Sequence, residues 1–98
     1  MKTGSITKKI IGGKLVRVDV EIEDHKVRAK LTGDFFLHPE DTLEMIVEVL
    51  DRAALPPDHD FLVKEINRVM SENQAQLIGA SADDIVTIFE EAVVCASE

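Results

Sequence analysis

The spacing of apolar residues changes period once along this chain, near Pro39, dividing it into a strand-rich first part and a helical second part. Before Pro39 the period is two. Val16, Val18, Val20 and Ile22 alternate with Arg17, Asp19, Glu21 and Glu23, and after Asp24-His25 the alternation resumes as Val27, Ala29 and Leu31 against Lys26, Arg28 and Lys30. The pattern predicts an antiparallel hairpin with one wet face. A two-residue loop at Asp24-His25 pairs residues whose numbers sum to 49. Glu23 then faces Lys26, Glu21 faces Arg28 and Asp19 faces Lys30, each pair opposite in charge and worth about 0.2 to 1 kcal/mol. The same register sets Ile22 against Val27, Val20 against Ala29 and Val18 against Leu31, so charge and apolarity choose one pairing. Asp24 tolerates the positive φ of a tight turn and His25 does so less readily; a four-residue loop keeps the same register. Ser5 to Ile11 reads as a weaker strand joined through Gly12-Gly13, its Lys8 and Lys9 suiting a sheet edge.

Beyond Pro39 the period becomes helical. Pro39 fits a first-turn position with Glu40 and Asp41 at the positive end of the dipole, and Leu43, Ile46, Val47 and Leu50 form an i, i+3, i+4, i+7 stripe that Leu55-Pro56-Pro57 ends. A second helix runs from near Asp58 to about Asn73, burying Leu62, Ile66, Val69 and Met70, and Gln74 to Ile78 extend it or leave it. Ser81 with Asp84 makes a capping-box-like start for a third helix carrying Ile85, Ile88, Phe89, Ala92 and Val93. Strands first and helices after predict an α+β fold: a small antiparallel three-stranded sheet followed by three helices packed on one face.

Length and charge narrow the function classes. The chain has 98 residues, enough for one domain over 1–98 that buries about 60 to 70% of its unfolded surface. Its 11 basic and 19 acidic residues give a net charge of −8. The basic residues are scattered apart from Lys8 and Lys9, so nucleic acid and anionic membrane are poor partners. No apolar run is long enough to span a bilayer and the N-terminus lacks the apolar block of a signal peptide, which predicts a cytoplasmic protein. The single Cys95 permits no internal disulfide and no cysteine-based metal site, and fits a reducing compartment. It reads as a small apolar filler or a frayed terminal thiol.

Candidate chemistry gathers at the change of period. The chain has four Phe, no Tyr and no Trp, yet two of its rings are adjacent in Leu31-Thr32-Gly33-Asp34-Phe35-Phe36-Leu37-His38-Pro39-Glu40. Gly33 suits special backbone geometry, Asp34 an Asx turn, and Phe35 and Phe36 point to opposite sides. These residues describe either a well-packed turn or a shaped site. Continued past Leu31, the hairpin register sets Gly33 opposite Val16, Phe35 opposite Lys14 and Phe36 opposite Gly13, bringing Gly12, Gly13 and Lys14 to the same sheet end. Such a corner suits gripping a partner's loop or leaning a cation over an anionic ligand; Lys14 reads equally as a solvated strand lysine. His25, His38 and His59 lie in three different turns without ligand spacing and read as surface residues. His38, beside Asp34 and Glu40, suits a proton relay or a helix cap. No serine, histidine and acid combination suggests a nucleophile.

The string Gly-Asp-Phe-Phe-Leu-x-Pro-Glu at 33–40, preceded by Gly-Gly-Lys-Leu-Val at 12–16, resembles the accessory domain of lipoate-protein ligases. The resemblance covers residues 4 to 40 well and the helical remainder as a pattern. In many of those enzymes this is the C-terminal domain; in two-gene versions it is a separate small chain that works with a catalytic partner. The resemblance implies a non-catalytic subunit, required with that partner for ATP-dependent activation of lipoate to lipoyl-adenylate. It implies a heterodimer, with ATP, Mg and lipoate at the partner's active site, none bound by this chain alone, and lipoyl-domain acceptor proteins met indirectly. Gly12, Gly13, Lys14, Gly33, Asp34, Phe35, Phe36 and His38 become the residues expected to face the partner or its active site. A second reading is a scaffold of the iron-sulfur-assembly kind, whose sulfur-acceptor proteins have a similar fold. Those proteins need an exposed loop cysteine, whereas Cys95 falls at the end of a predicted helix.

Overall fold

Lys2–Lys9 (β1), Leu15–Glu23 (β2) and Lys26–Gly33 (β3) form one antiparallel sheet with β2 at its centre. The structure, a computed structural model, describes residues 1–10 and 12–97. Ile11, to which the sequence carries the first strand, lies outside the described residues. Asp24 and His25 both take positive φ, at 53° and 63°, which is the backbone of a two-residue type I′ turn matched to the twist of its strands. The register is the one the alternation predicts: Glu23 faces Lys26, Glu21 faces Arg28, Asp19 faces Lys30, and Val16 faces Gly33.

The ion pairs expected across that register do not close. Among the described residues none of the three forms a salt bridge; Asp19 instead holds Arg17 of its own strand, Nη2 to Oδ1 3.0 Å, and accepts the Ser5 hydroxyl from β1. Arg17 first, then Ser5, keep the Asp19 carboxyl below the ordinary carboxylate range. Solvated lysines gain little from a fixed partner and lose side-chain freedom in making one. Register therefore rests on the apolar face, where Val16, Val18, Val20, Val27 and Leu31 are all buried.

Past Gly33 the chain leaves the hairpin. Phe36–His38 (β4) pairs antiparallel with Gln76–Ile78 (β5), and Thr42–Asp51 (α1), His59–Glu72 (α2) and Ala82–Ser97 (α3) complete the fold. The expected pairing of Phe35 with Lys14 and Phe36 with Gly13 gives way to this change of partner. Asp34 causes it: its N–H still donates to the Leu15 carbonyl at 3.2 Å, but its side-chain Oδ1 accepts the Leu15 N–H at 2.6 Å. A side chain thus takes the place of the next strand carbonyl, and the ladder stops. Because β4 runs to His38, Pro39 lies before the helix rather than in its first turn. A tight turn intervenes, Thr42 N–H donating to the Pro39 carbonyl at 3.0 Å.

The other two helices begin where their caps predict. Asp58 accepts the Phe61 N–H at 3.2 Å, and Ser81 and Asp84 exchange both bonds of a capping box, 3.1 and 2.9 Å. Helix α2 ends in a Schellman motif with Gln74 at φ 49°, Gln74 N–H donating to the Ser71 carbonyl at 3.1 Å and Ala75 N–H to Met70 at 2.8 Å. The chain then turns into β5 instead of prolonging the helix.

Helix α3 lies across β1 and β2, α1 lies across β3, and α2 packs on α1 and α3. The result is the expected α+β architecture, a three-stranded antiparallel sheet followed by three helices. Phe89 is the largest fully buried side chain and belongs to one core cluster with Ile46, Leu50, Leu62, Ile66, Ile85 and Ile88. At the outer edge of β3, Asp51 Oδ1 of α1 accepts the Ala29 N–H at 2.6 Å. Among the described residues no helix is long and apolar enough to cross a membrane.

Candidate functional site at the strand-switch corner

The change of partner at Asp34 sends the two adjacent rings to opposite sides. Phe35 is half-buried against the core, whereas Phe36 is 54% exposed. On the β4–β5 ribbon Phe36 pairs directly with Ile78, itself 51% exposed, and residues paired across a ladder share a face. The His38 ring stacks beside Phe36 on that face, centroids 6.3 Å apart and planes 11° apart. Leu37 is buried and Leu77 half-buried on the other face, facing the core. The ribbon is therefore anchored by its leucines and shows solvent a phenylalanine, an isoleucine and an imidazole. Beside it, Leu31, Gly33, Phe35, Phe36, Glu40 and Leu43 line a shallow cleft of about 410 Å³.

The glycine-lysine segment meets the same end of the sheet through a residue the sequence did not single out. Lys14 N–H donates to the Gly79 carbonyl at 2.9 Å, and Gly13 N–H to the Ile10 carbonyl at 2.8 Å. A Cβ on Gly79, whose φ is +99°, would lie 2.5 Å from Lys14 Cγ, so the lysine stem occupies the space that the glycine leaves. Gly33 is as tight: a Cβ there would lie 2.2 Å from the Leu15 carbonyl oxygen. Three chain segments thus converge with backbone against backbone. Gly12, with φ +72°, stands at the open tip.

Lys14 and Asp34 are both exposed but do not pair; the Asp34 carboxylate is held by the Leu15 N–H, and Lys14 forms no salt bridge among the described residues. The His38 ring stacks on Phe36, and among the described residues it makes no hydrogen bond to Asp34 or Glu40. Gly79 and Ile78 were illegible because Gln74 to Ile78 continue an apolar helical pattern. The signal that marks them is the glycine two residues after the Gln-Leu pair at 76–77, which closes a short strand.

Among the described residues no cluster of three or more His, Cys, Asp or Glu side chains could hold a metal ion. Cys95 is exposed on α3 rather than packed as filler. His59, read as a surface residue, bridges helices: its Nδ1 faces Glu90 and its Nε2 faces Asp83 Oδ1 at 2.6 Å. Only the imidazolium donates from both nitrogens. Glu90 first, then Asp83, raise the His59 pKa from 6.5 to about 9. The folded-state value lies above the unfolded one, so this stabilisation is complete below about pH 6.5 and is lost as pH rises through about 9. Thermal melts across that range should show a melting temperature that falls with pH, and His59→Gln should flatten the slope. An unchanged slope in the variant would assign the pH dependence elsewhere.

No family model matches the sequence, and no curated protein matches it. Among solved structures the chain is similar to one from an archaeal lipoylation system, described as a bi-partite lipoate protein ligase and its E2 lipoyl domain from Thermoplasma acidophilum. The TM-score is 0.60 at 18% identity, over 91% of this chain and 92% of that one. The two chains share a fold over about nine-tenths of each.

Proposed function

We propose that this chain is the non-catalytic small subunit of a two-component lipoate-protein ligase, required with a catalytic chain for ATP-dependent activation of lipoate to lipoyl-adenylate. The observation that carries the reading is the fold likeness to a chain of a bi-partite ligase system, which spans nearly all of both chains. The Gly-Asp-Phe-Phe motif supports it independently, because its second ring stands exposed on the ribbon face where a partner would meet it. In this reading ATP, Mg and lipoate bind at the partner's active site. The chain acts by ordering that site, and the lipoyl-domain acceptor meets the assembled pair.

Lys14 is the cation of the corner placed to assist. Its stem lies on Gly79, and its ammonium has no acidic partner among the described residues. Lys14→Ala should depress lipoate-dependent ATP–pyrophosphate exchange in the reconstituted pair by at least about tenfold, or about 1.4 kcal/mol of barrier. Transfer from preformed lipoyl-adenylate to a lipoyl domain should stay near normal. Equal losses in both half-reactions would mean that the chain recruits the acceptor protein. Unchanged exchange would make Lys14 an ordinary solvated lysine.

A further inference from the structure

We propose that the catalytic chain docks on the β4–β5 ribbon with a strip of lysine or arginine side chains laid against the acidic entry to α1, which orients the opposite, Lys14 side of the ribbon toward the active site. The inference rests on the ligase reading and adds to it the chemistry and the direction of the contact.

The order of groups across the corner comes from the backbone. Lys14 is hydrogen-bonded to Gly79 just past β5, Ile78 of β5 pairs with Phe36 of β4, and Phe36 shares its cleft with Glu40 and Leu43 at the entry to α1. A cation, an apolar pair and an acidic segment therefore follow one another, the two strands about 4.8 Å apart. Phe36 and Ile78, both more than half exposed, supply the apolar centre of a contact. The groups on either side of them give it a direction.

The carboxylates at this entry differ from the rest in holding nothing. Glu40, Asp41 and Glu44 are exposed, none closes an ion pair or accepts a hydrogen bond among the described residues, and Asp41 stands at the N-cap without capping. Elsewhere in the helical layer the carboxylates are engaged. Glu48 meets Arg52, Glu65 and Glu72 meet Arg68, Asp83 and Glu90 meet His59, and Glu91 meets Lys8. Asp34, Asp51, Asp58 and Asp84 each accept a backbone N–H. Asp60 is the one other carboxylate of residues 34–97 without a partner. No lysine or arginine occurs between Lys30 and Arg52, so the segment brings no cation of its own. The dipole of α1 favours acids in this turn but gives their oxygens no donor. A surface that buries Phe36 also takes water from these neighbours, and that loss is offset when the surface carries cations. The net charge of −8 attracts the same kind of surface.

The test reconstitutes the pair and measures two quantities: the dissociation constant, and lipoate-dependent ATP–pyrophosphate exchange as this chain is titrated in. Glu40→Lys should weaken the pair at least about tenfold at low salt and flatten its loss of affinity with added salt. Its deficit in exchange should be made good by adding more of the chain. Lys14→Ala should show the converse, normal affinity with an exchange deficit that no excess of the chain restores. Glu23→Lys changes the net charge by the same amount at the far end of β2 and should bind within about twofold of wild type. If Glu40→Lys fails to fold, Glu40→Gln decides, with a loss of about threefold or more expected. Wild-type affinity in a folded Glu40 variant, or an equal loss in Glu23→Lys, would overturn the inference and leave the ligase reading standing. Exchange that does not need this chain would remove the reading, and the inference with it.

Discussion

Phe36→Ala is expected to weaken the proposed complex with a catalytic ligase chain by about thirtyfold or more, about 2 kcal/mol, with no change in the melting temperature of the isolated chain. The argument begins with position. Phe36 is 54% exposed beside Ile78, so the folded chain gains little from its ring. An interface of ordinary size, about 1,200 to 2,000 Å² in total, concentrates its energy in a few buried aromatic anchors. Phe36 is the exposed aromatic of the corner motif, and its ladder neighbour supplies apolar surface around it. Phe35→Ala provides the contrast, because that ring packs on the core and its loss should cost about 2 kcal/mol of folding stability. Titration calorimetry with the catalytic chain, paired with thermal melts, separates the two outcomes. Normal binding by a folded Phe36→Ala variant would move the interface away from the ribbon.

Gly33→Ala should be the most damaging single substitution at the site, lowering stability by about 3 kcal/mol. The new methyl would sit 2.2 Å from the Leu15 carbonyl oxygen and 2.9 Å from the Phe35 ring. Neither neighbour yields easily. Leu15 is bound through both backbone groups to Asp34, and Phe35 is packed against the core. For a domain of this size the loss corresponds to a fall in melting temperature of about 12 °C or more. Gly12→Ala is the control, since no atom lies within 4 Å of the added methyl. The strain of a left-handed alanine should cost it about 1 to 2 kcal/mol. Equal melting temperatures for the two variants would mean that the convergence at Gly33 is not tight.

The hairpin register was legible because apolar alternation selects it, and the buried valines enforce it even though the cross-strand charges do not pair. The Ser81–Asp84 capping box and the Asp58 cap were legible because a side-chain acceptor three residues from an unpaired N–H is a local feature. The β4–β5 ribbon was not. Its strands have three residues each and lie far apart in sequence, and the Schellman turn that frees β5 places Gln74 where glycine would announce it. The strand switch depends on one carboxylate bond, Asp34 to Leu15, and a turn-forming aspartate reads the same whether or not a strand ends there. Of the candidate site, the two rings were read as diverging and do diverge. Gly79, which seats Lys14, and the His59 bridge to Asp83 and Glu90 come only from tertiary packing.

The central claim is that this chain serves the activation of lipoate rather than its transfer. ATP–pyrophosphate exchange dependent on lipoate, measured on the catalytic chain with and without this one, tests it most directly. Exchange should require both chains, while transfer of lipoate from preformed lipoyl-adenylate to a lipoyl domain should proceed with the catalytic chain alone. Full exchange by the catalytic chain without this one would contradict the account.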